Sequence, residues 1–182
     1  AQSEGRDAYD LILAGASPDP SPLLLLPHFA GSGTPTFDTE SKGAILGLTF
    51  STSKADLAKA ILEGLTFELR LNLDLLQAGG IAIDQLRAIG GGARSDLWLQ
   101  LKADVTGVPV VAPAVTEAAS WGAAMLAGVG AGRFADAQEA ATSSVQLEKR
   151  FAPDQDRGAA YEARYNLYRQ LYPAVAPICH QL

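Results

Sequence analysis

The chain has 182 residues, with 14 Lys and Arg against 20 Asp and Glu, a formal net charge of −6. Its 48% hydrophobic and 19% charged composition fits a globular domain that buries its own core, and argues against disorder. The acidic balance speaks against a basic nucleic-acid-binding surface, and no apolar run approaches the length of about twenty residues that a membrane span needs.

In chain order, residues 1–22 read as a lead-in segment, with Pro18, Pro20 and Pro22 favouring a loop at its end. Leu23 to Leu26 reads as a short buried strand stopped by Pro27. Residues 31–43 hold Gly31, Gly33, Pro35 and Gly43 among Ser, Thr and Asp, a loop long enough to be functional. Ala44 to Phe50 is a second strand. Lys54 to Ala78 is a long helix, with Ser53 as N-cap, Asp56 in the first turn and Gly79-Gly80 at its end. Leu57, Ile61, Leu65, Leu69, Leu73 and Leu76 form its apolar stripe, widened by Phe67, Leu71 and Leu75. Lys59, Glu63, Thr66, Arg70, Asp74 and Gln77 form the opposite face. Gly64, unfavourable in mid-helix, implies a close backbone contact there.

A strand over Gln85 to Ile89 then runs into Gly90-Gly91-Gly92, followed by a helix from Asp96 to Thr106 with Ser95 to cap it and Gly107 to close it. Val108 to Ala112 is another strand and Glu117 to Ala131 an Ala-rich helix. A short helix covers Asp136 to Thr142. The segment leading to Pro153 is polar, and a last helix runs from Gln155 to Leu171, with Ala160, Tyr161, Ala163, Tyr165, Leu167 and Leu171 on its apolar face. Tyr161, Tyr165, Tyr168 and Tyr172 read as a packing stripe. Helices alternating with short strands make the chain α/β.

The strongest local site is Ile89-Gly90-Gly91-Gly92-Ala93-Arg94-Ser95, a strand, a glycine turn and a helix start. Glycines allow close backbone approach, and a helix N-terminus adds N–H donors and partial positive charge. The local pattern alone leaves two readings open: a phosphate cradle, or a turn that packs a helix tightly on a sheet. Gly128-Val129-Gly130-Ala131-Gly132 ends a helix rather than following a strand, so it reads as a C-terminal cap. His28 and His180, with a single Cys179, give no metal-ligand spacing. Cys179 has no base partner in the sequence and reads as inert; it excludes an internal disulfide and favours a reducing, cytoplasmic setting. Asp38 and Glu40 read as solvated loop carboxylates, Glu117 as a charge suited to a helix start, and Trp121 as a core or domain-contact residue.

Gly43-Ala44-Ile45-Leu46-Gly47-Leu48, seven further residues and Asp56-Leu57-Ala58-Lys59-Ala60-Ile61-Leu62-Glu63 fill every defined position of the second signature of a known family. The sequence resembles the FGGY carbohydrate kinases, which include xylulokinase, glycerol kinase, gluconokinase and fuculokinase. Gly90-Gly91-Gly92-Ala93-Arg94-Ser95 with Trp98, Gln100, Ala103-Asp104 and Pro109-Val110 is similar to the family's adenosine-binding segment. Glu117 to Ala124 is similar to its following helix, with Trp121 where Leu is common. Leu26 to Pro35 is similar to the loop opening this region, but Ser32 and Gly33 depart from the xylulokinase-like Gly-Glu-Arg-Thr-Pro.

The resemblance implies an actin-like ATPase fold with ribonuclease-H-like topology, and in it the second of two kinase domains, spanning 23–182. It implies ATP, with Mg²⁺ held alongside the nucleotide, and transfer of the γ-phosphoryl group to a sugar or polyol hydroxyl, xylulokinase-like. Gly90, Gly91, Gly92 and Ala93 would meet the phosphates, and Ser95 and Asp96 the adenine or ribose. The catalytic Asp and most sugar contacts of the family lie upstream of the matched region, so no residue here is nominated as catalytic, and Ala1 is expected to mark a cut in a longer chain. A homo-oligomer is compatible with the resemblance. The rival expectation is a non-enzymatic actin-like interaction module.

Overall fold

The computed structural model describes Gly15 and residues 17–182; most of the expected lead-in lies outside the described residues. Two compact units emerge. One is the described chain up to Ile83 with Asp104–Gly107 and Pro153–Leu182; the other is Asp84–Ala103 with Val108–Ala152.

In the first unit β1, Leu24–Leu26, pairs antiparallel with β2, Ala44–Leu46, with Leu25 opposite Ile45. The expected second strand stops early because Gly47 turns at φ +90°, where a Cβ would lie 2.9 Å from the Pro22 carbonyl oxygen. Helix α1 runs Lys54–Ala78 as expected. Ser53 and Asp56 form a reciprocal capping box that satisfies two N-terminal donors. Leu23, Leu25 and Ala60 form a core, with Leu57 packed against it.

Only part of the expected apolar stripe of α1 is buried, namely Phe67 and Leu73. Ile61, Leu65, Leu75 and Leu76 are exposed, while Lys59, Glu63 and Thr66 are buried. Their partners explain the inversion. Lys59 donates to the Ser17 and Asp19 carbonyls, and Glu63 accepts from the Ser21 N–H at 3.0 Å and the Tyr161 hydroxyl at 3.1 Å. Thr66 Oγ1 donates to the Leu62 carbonyl at 2.6 Å. Polar groups can be buried when each is hydrogen-bonded.

The last helix, α5, runs Gln155–Cys179 rather than ending at Leu171, and carries Pro173 and Pro177 within it. Each proline removes a helical hydrogen bond, but burial of Ala176 and Cys179 keeps the last turns in place. Asp154 caps it by accepting from the Asp156 and Arg157 N–H groups. Tyr161, Tyr165 and Tyr168 are buried around Phe67, with ring centroids 6.3, 5.9 and 5.1 Å away. The tyrosine stripe therefore packs as expected, whereas Ala160, Ala163 and Leu167 face solvent.

In the second unit β3, Leu86–Arg87, lies parallel to β4, Val110–Pro113, and β4 pairs antiparallel with β5, Leu147–Phe151. Strand β5 was not expected: Leu-Glu-Lys-Arg-Phe is polar between its ends, as befits an edge strand. Helix α2 is Asp96–Thr106, closed by Gly107 at φ +69°. Helices α3, Ala118–Gly130, and α4, Ala137–Ser144, follow, the latter capped by Asp136. The core joins Ala93, Leu99, Ala103, Val110 and Ala112, with Leu86, Ala88 and Phe151 packed on it. The last residues of α2, from Asp104, cluster with the first unit.

Candidate nucleotide site

The glycine segment sits at the carboxyl end of β3. Gly90 adopts φ +76° and ψ −169°, a left-handed-side conformation that strongly favours glycine. Its N–H donates to the Thr116 carbonyl at 2.8 Å, tying the turn to the segment after β4. Gly91–Arg94 form a 3₁₀ turn in which the Ala93 N–H donates back to Gly90 at 3.0 Å. Ala93 thereby spends its N–H within the turn and buries its side chain in the core. Gly91 is exposed and Gly92 half-buried.

Ser95 is buried, and its Oγ accepts from the Trp98 N–H at 3.3 Å, the capping expected of it. Asp96 begins α2 as an exposed carboxylate 2.7 Å from Lys149 Nζ on β5. The Asp96 hydrogen bond raises the Lys149 ammonium above its ordinary value. Arg94 and Glu117, weighed separately in the sequence, form an exposed ion pair with each other.

Beside the turn lies a cavity of about 350 Å³ lined by Ile89, Pro113, Val115, Ala118, Trp121 and Met125 among others. It opens at the carboxyl ends of the parallel pair β3 and β4, the usual place for ligands in α/β sheets. Its volume is within the range of small-molecule sites. Sequence reading missed this cavity and assigned Trp121 to a core or domain contact. The residues converge from three separate segments, joined by main-chain hydrogen bonds such as Gly90 N–H to the Thr116 carbonyl and Ala114 N–H to the Gln146 carbonyl. Gly132, at φ +71°, follows α3, and the Arg133 N–H returns to the Gly128 carbonyl, so the second glycine cluster is a helix cap.

In the first unit, Asp38 is not merely solvated: it accepts from the Tyr172 hydroxyl at 2.8 Å and from His180 Nε2 at 2.7 Å. His28 Nδ1 bonds Ser41 Oγ at 2.7 Å. Cys179 is buried. Among the described residues, no group of three or more His, Cys, Asp or Glu is placed to hold a metal ion, and no helix is long and apolar enough to cross a membrane.

Residues 1–131 match the FGGY family of carbohydrate kinases, C-terminal domain. The chain belongs to this family. A glycerol kinase of Citrifermentans bemidjiense is 41% identical over 162 residues, covering 87% of this chain and 31% of that protein. A xylulose kinase of Staphylococcus epidermidis is 33% identical over 150 residues, covering 82% of this chain and 30% of its own length. The crystal structure of a ligand-bound xylulose kinase from Lactobacillus acidophilus superposes with a TM-score of 0.77 at 29% identity, covering 91% of this chain and 34% of that one. The FGGY chain described here thus spans about a third of the length of its relatives, and its fold is the actin-like ATPase fold that the resemblance implied.

Proposed function

We propose that this chain is the nucleotide-binding portion of a kinase that transfers the γ-phosphoryl group of ATP to a hydroxyl of a sugar or polyol. The observation that carries the reading is the exposed glycine turn at the carboxyl end of β3, opening α2 in an FGGY chain. In this reading Gly91 and Gly92 bring main chain to the phosphates, Gly90 provides the turn, and Ala93, Ser95 and Asp96 shape the start of α2 beside the nucleoside. The net charge of −6 is no obstacle, because backbone dipoles rather than a basic patch meet the anion. The neighbouring apolar cavity suits the flat face of a base.

Mg²⁺, carried on the nucleotide phosphates, would neutralise their charge. The carboxylates Asp96 and Glu117, at the starts of α2 and α3, are each engaged by a cation, Lys149 and Arg94, which accords with a metal held chiefly by the nucleotide. The catalytic carboxylate and most of the sugar site are assigned to the portion of the kinase outside this chain. The relatives divide between a polyol, glycerol, and a ketose, xylulose, so sugar or polyol is the substrate class, and the xylulokinase-like reading rests on the structural neighbours. ATP use and the lone thiol favour a cytoplasmic setting.

Calorimetric titration of the chain with ATP tests the reading. Saturable binding is expected, with a thermal transition that rises at millimolar ATP, because a ligand of the native state stabilises it. Neither effect appearing would leave the glycine turn a packing element and favour the non-enzymatic module.

A further inference from the structure

The glycine turn abuts the ring of a residue outside it. A Cβ built on Gly92 would come within 2.7 Å of Cζ3 and 3.2 Å of Cε3 of Trp98. The six-membered ring of Trp98 therefore fills the space that a side chain at position 92 would take. Trp98 is anchored in the first turn of α2 through its main chain, and its ring meets a cation. Its main-chain N–H donates to Ser95 Oγ at 3.3 Å, and Lys102 Nζ, one helical turn on, lies 4.0 Å from the ring centroid. Gly91, by contrast, has open space where a side chain would point. The turn is thus backed at Gly92 and open at Gly91.

We propose that Trp98 is a positioning residue for the nucleotide: its ring supports the Gly91–Gly92 backbone in the shape that receives the phosphates. This rests on the nucleotide reading above. Backbone donors gain affinity when they are already aimed before the ligand arrives, because little ordering is then left to binding. Removing the ring leaves a void under Gly92 into which the turn can relax, while the apolar cavity beside Trp121 is built from other residues.

The test compares ATP and adenosine on the native chain, Trp98→Ala and Trp98→Phe, by calorimetry and ligand-observed NMR, with thermal unfolding as a check of folding. Trp98→Ala is expected to weaken ATP about tenfold while adenosine changes by less than about twofold, since preorganisation acts on the phosphate contacts. Trp98→Phe, which keeps an aromatic ring, is expected to recover part of the ATP affinity. If Trp98→Ala does not fold, Trp98→Leu supplies the same comparison. ATP affinity unchanged in the ring-less variant, or ATP and adenosine weakened alike, overturns the positioning role while leaving the nucleotide reading intact. Absence of ATP binding by the native chain overturns the nucleotide reading itself, and this inference with it.

Discussion

Gly64 on α1 passes so close to Leu25 on β1 that a Cβ on the glycine would come within 2.4 Å of the Leu25 carbonyl oxygen. The contact sets helix against strand in the middle of the first unit, and it decides the sign of a mutation. Propensity alone would make Gly64→Ala stabilising by about 1 kcal/mol. A clash with backbone cannot be relieved by a rotamer change, so we expect Gly64→Ala to destabilise by about 2–3 kcal/mol. Urea unfolding followed by circular dichroism measures this, and a variant as stable as the native chain would refute the close approach.

Glu63 and Lys59 are both buried on α1, 3.7 Å apart. Burial pushes the Glu63 carboxyl above its ordinary value and the Lys59 ammonium below its own. Replacing one partner strands the other, so Glu63→Leu is expected to cost about 3–5 kcal/mol, with Ser21 N–H and the Tyr161 hydroxyl orphaned as well. The raised carboxyl also gives a pH signature. Its contribution is most favourable below the ordinary value of 4.5 and declines as pH rises from there through the raised folded value. Stability curves of the native chain and Glu63→Gln across that window should differ in slope.

Asp38 carries the opposite shift. Hydrogen bonds from His180 and Tyr172 bring its carboxyl from 3.8 down to about 2. A carboxyl lowered by folding stabilises the folded state above its ordinary value, and that contribution is lost as pH falls from 3.8 to about 2. Carbon-13 NMR titration should find Asp38 ionising near 2 in the native chain and higher in His180→Ala. An unchanged midpoint in that variant would show that His180 does not hold the carboxylate.

Gly91 offers the cleanest probe of the proposed cradle. Its φ is not in the left-handed region and a Cβ there meets nothing within 4 Å, so Gly91→Ala and Gly91→Asp should fold with stability close to native. A carboxylate at that position would repel the phosphates, and Gly91→Asp is expected to lower ATP affinity by at least about tenfold. Calorimetry gives the affinity and thermal unfolding the control. A stable Gly91→Asp that binds ATP like the native chain would move the nucleotide away from this turn.

Much of the framework was legible in the sequence because its signals are local. Ser53 three residues before Asp56, and Gly79 after Ala78, bound α1 to the residue. A strand running into three glycines and then Ser95 placed the turn and the start of α2. The order and spacing of these segments carried the family. Strand β5 escaped because an edge strand with polar residues has no alternating apolar pattern to read. The cavity escaped because its walls come from residues distant in sequence.

The sequence alone determined where α1 and α2 start and stop, where the chain must turn, and to which kinase family it belongs, since capping, glycine conformations and motif spacing are properties of neighbouring residues. Only the tertiary structure decided which face of α1 is buried, that α5 continues past Pro173, and that Trp98 backs Gly92. Those outcomes depend on partners brought from elsewhere in the chain: a carbonyl for Lys59, a phenol for Glu63, an aromatic ring for a glycine. A hydrophobic stripe predicts burial only when nothing satisfies the polar face better, and here the hydrogen bonds of Ser17, Asp19, Ser21 and Tyr161 did.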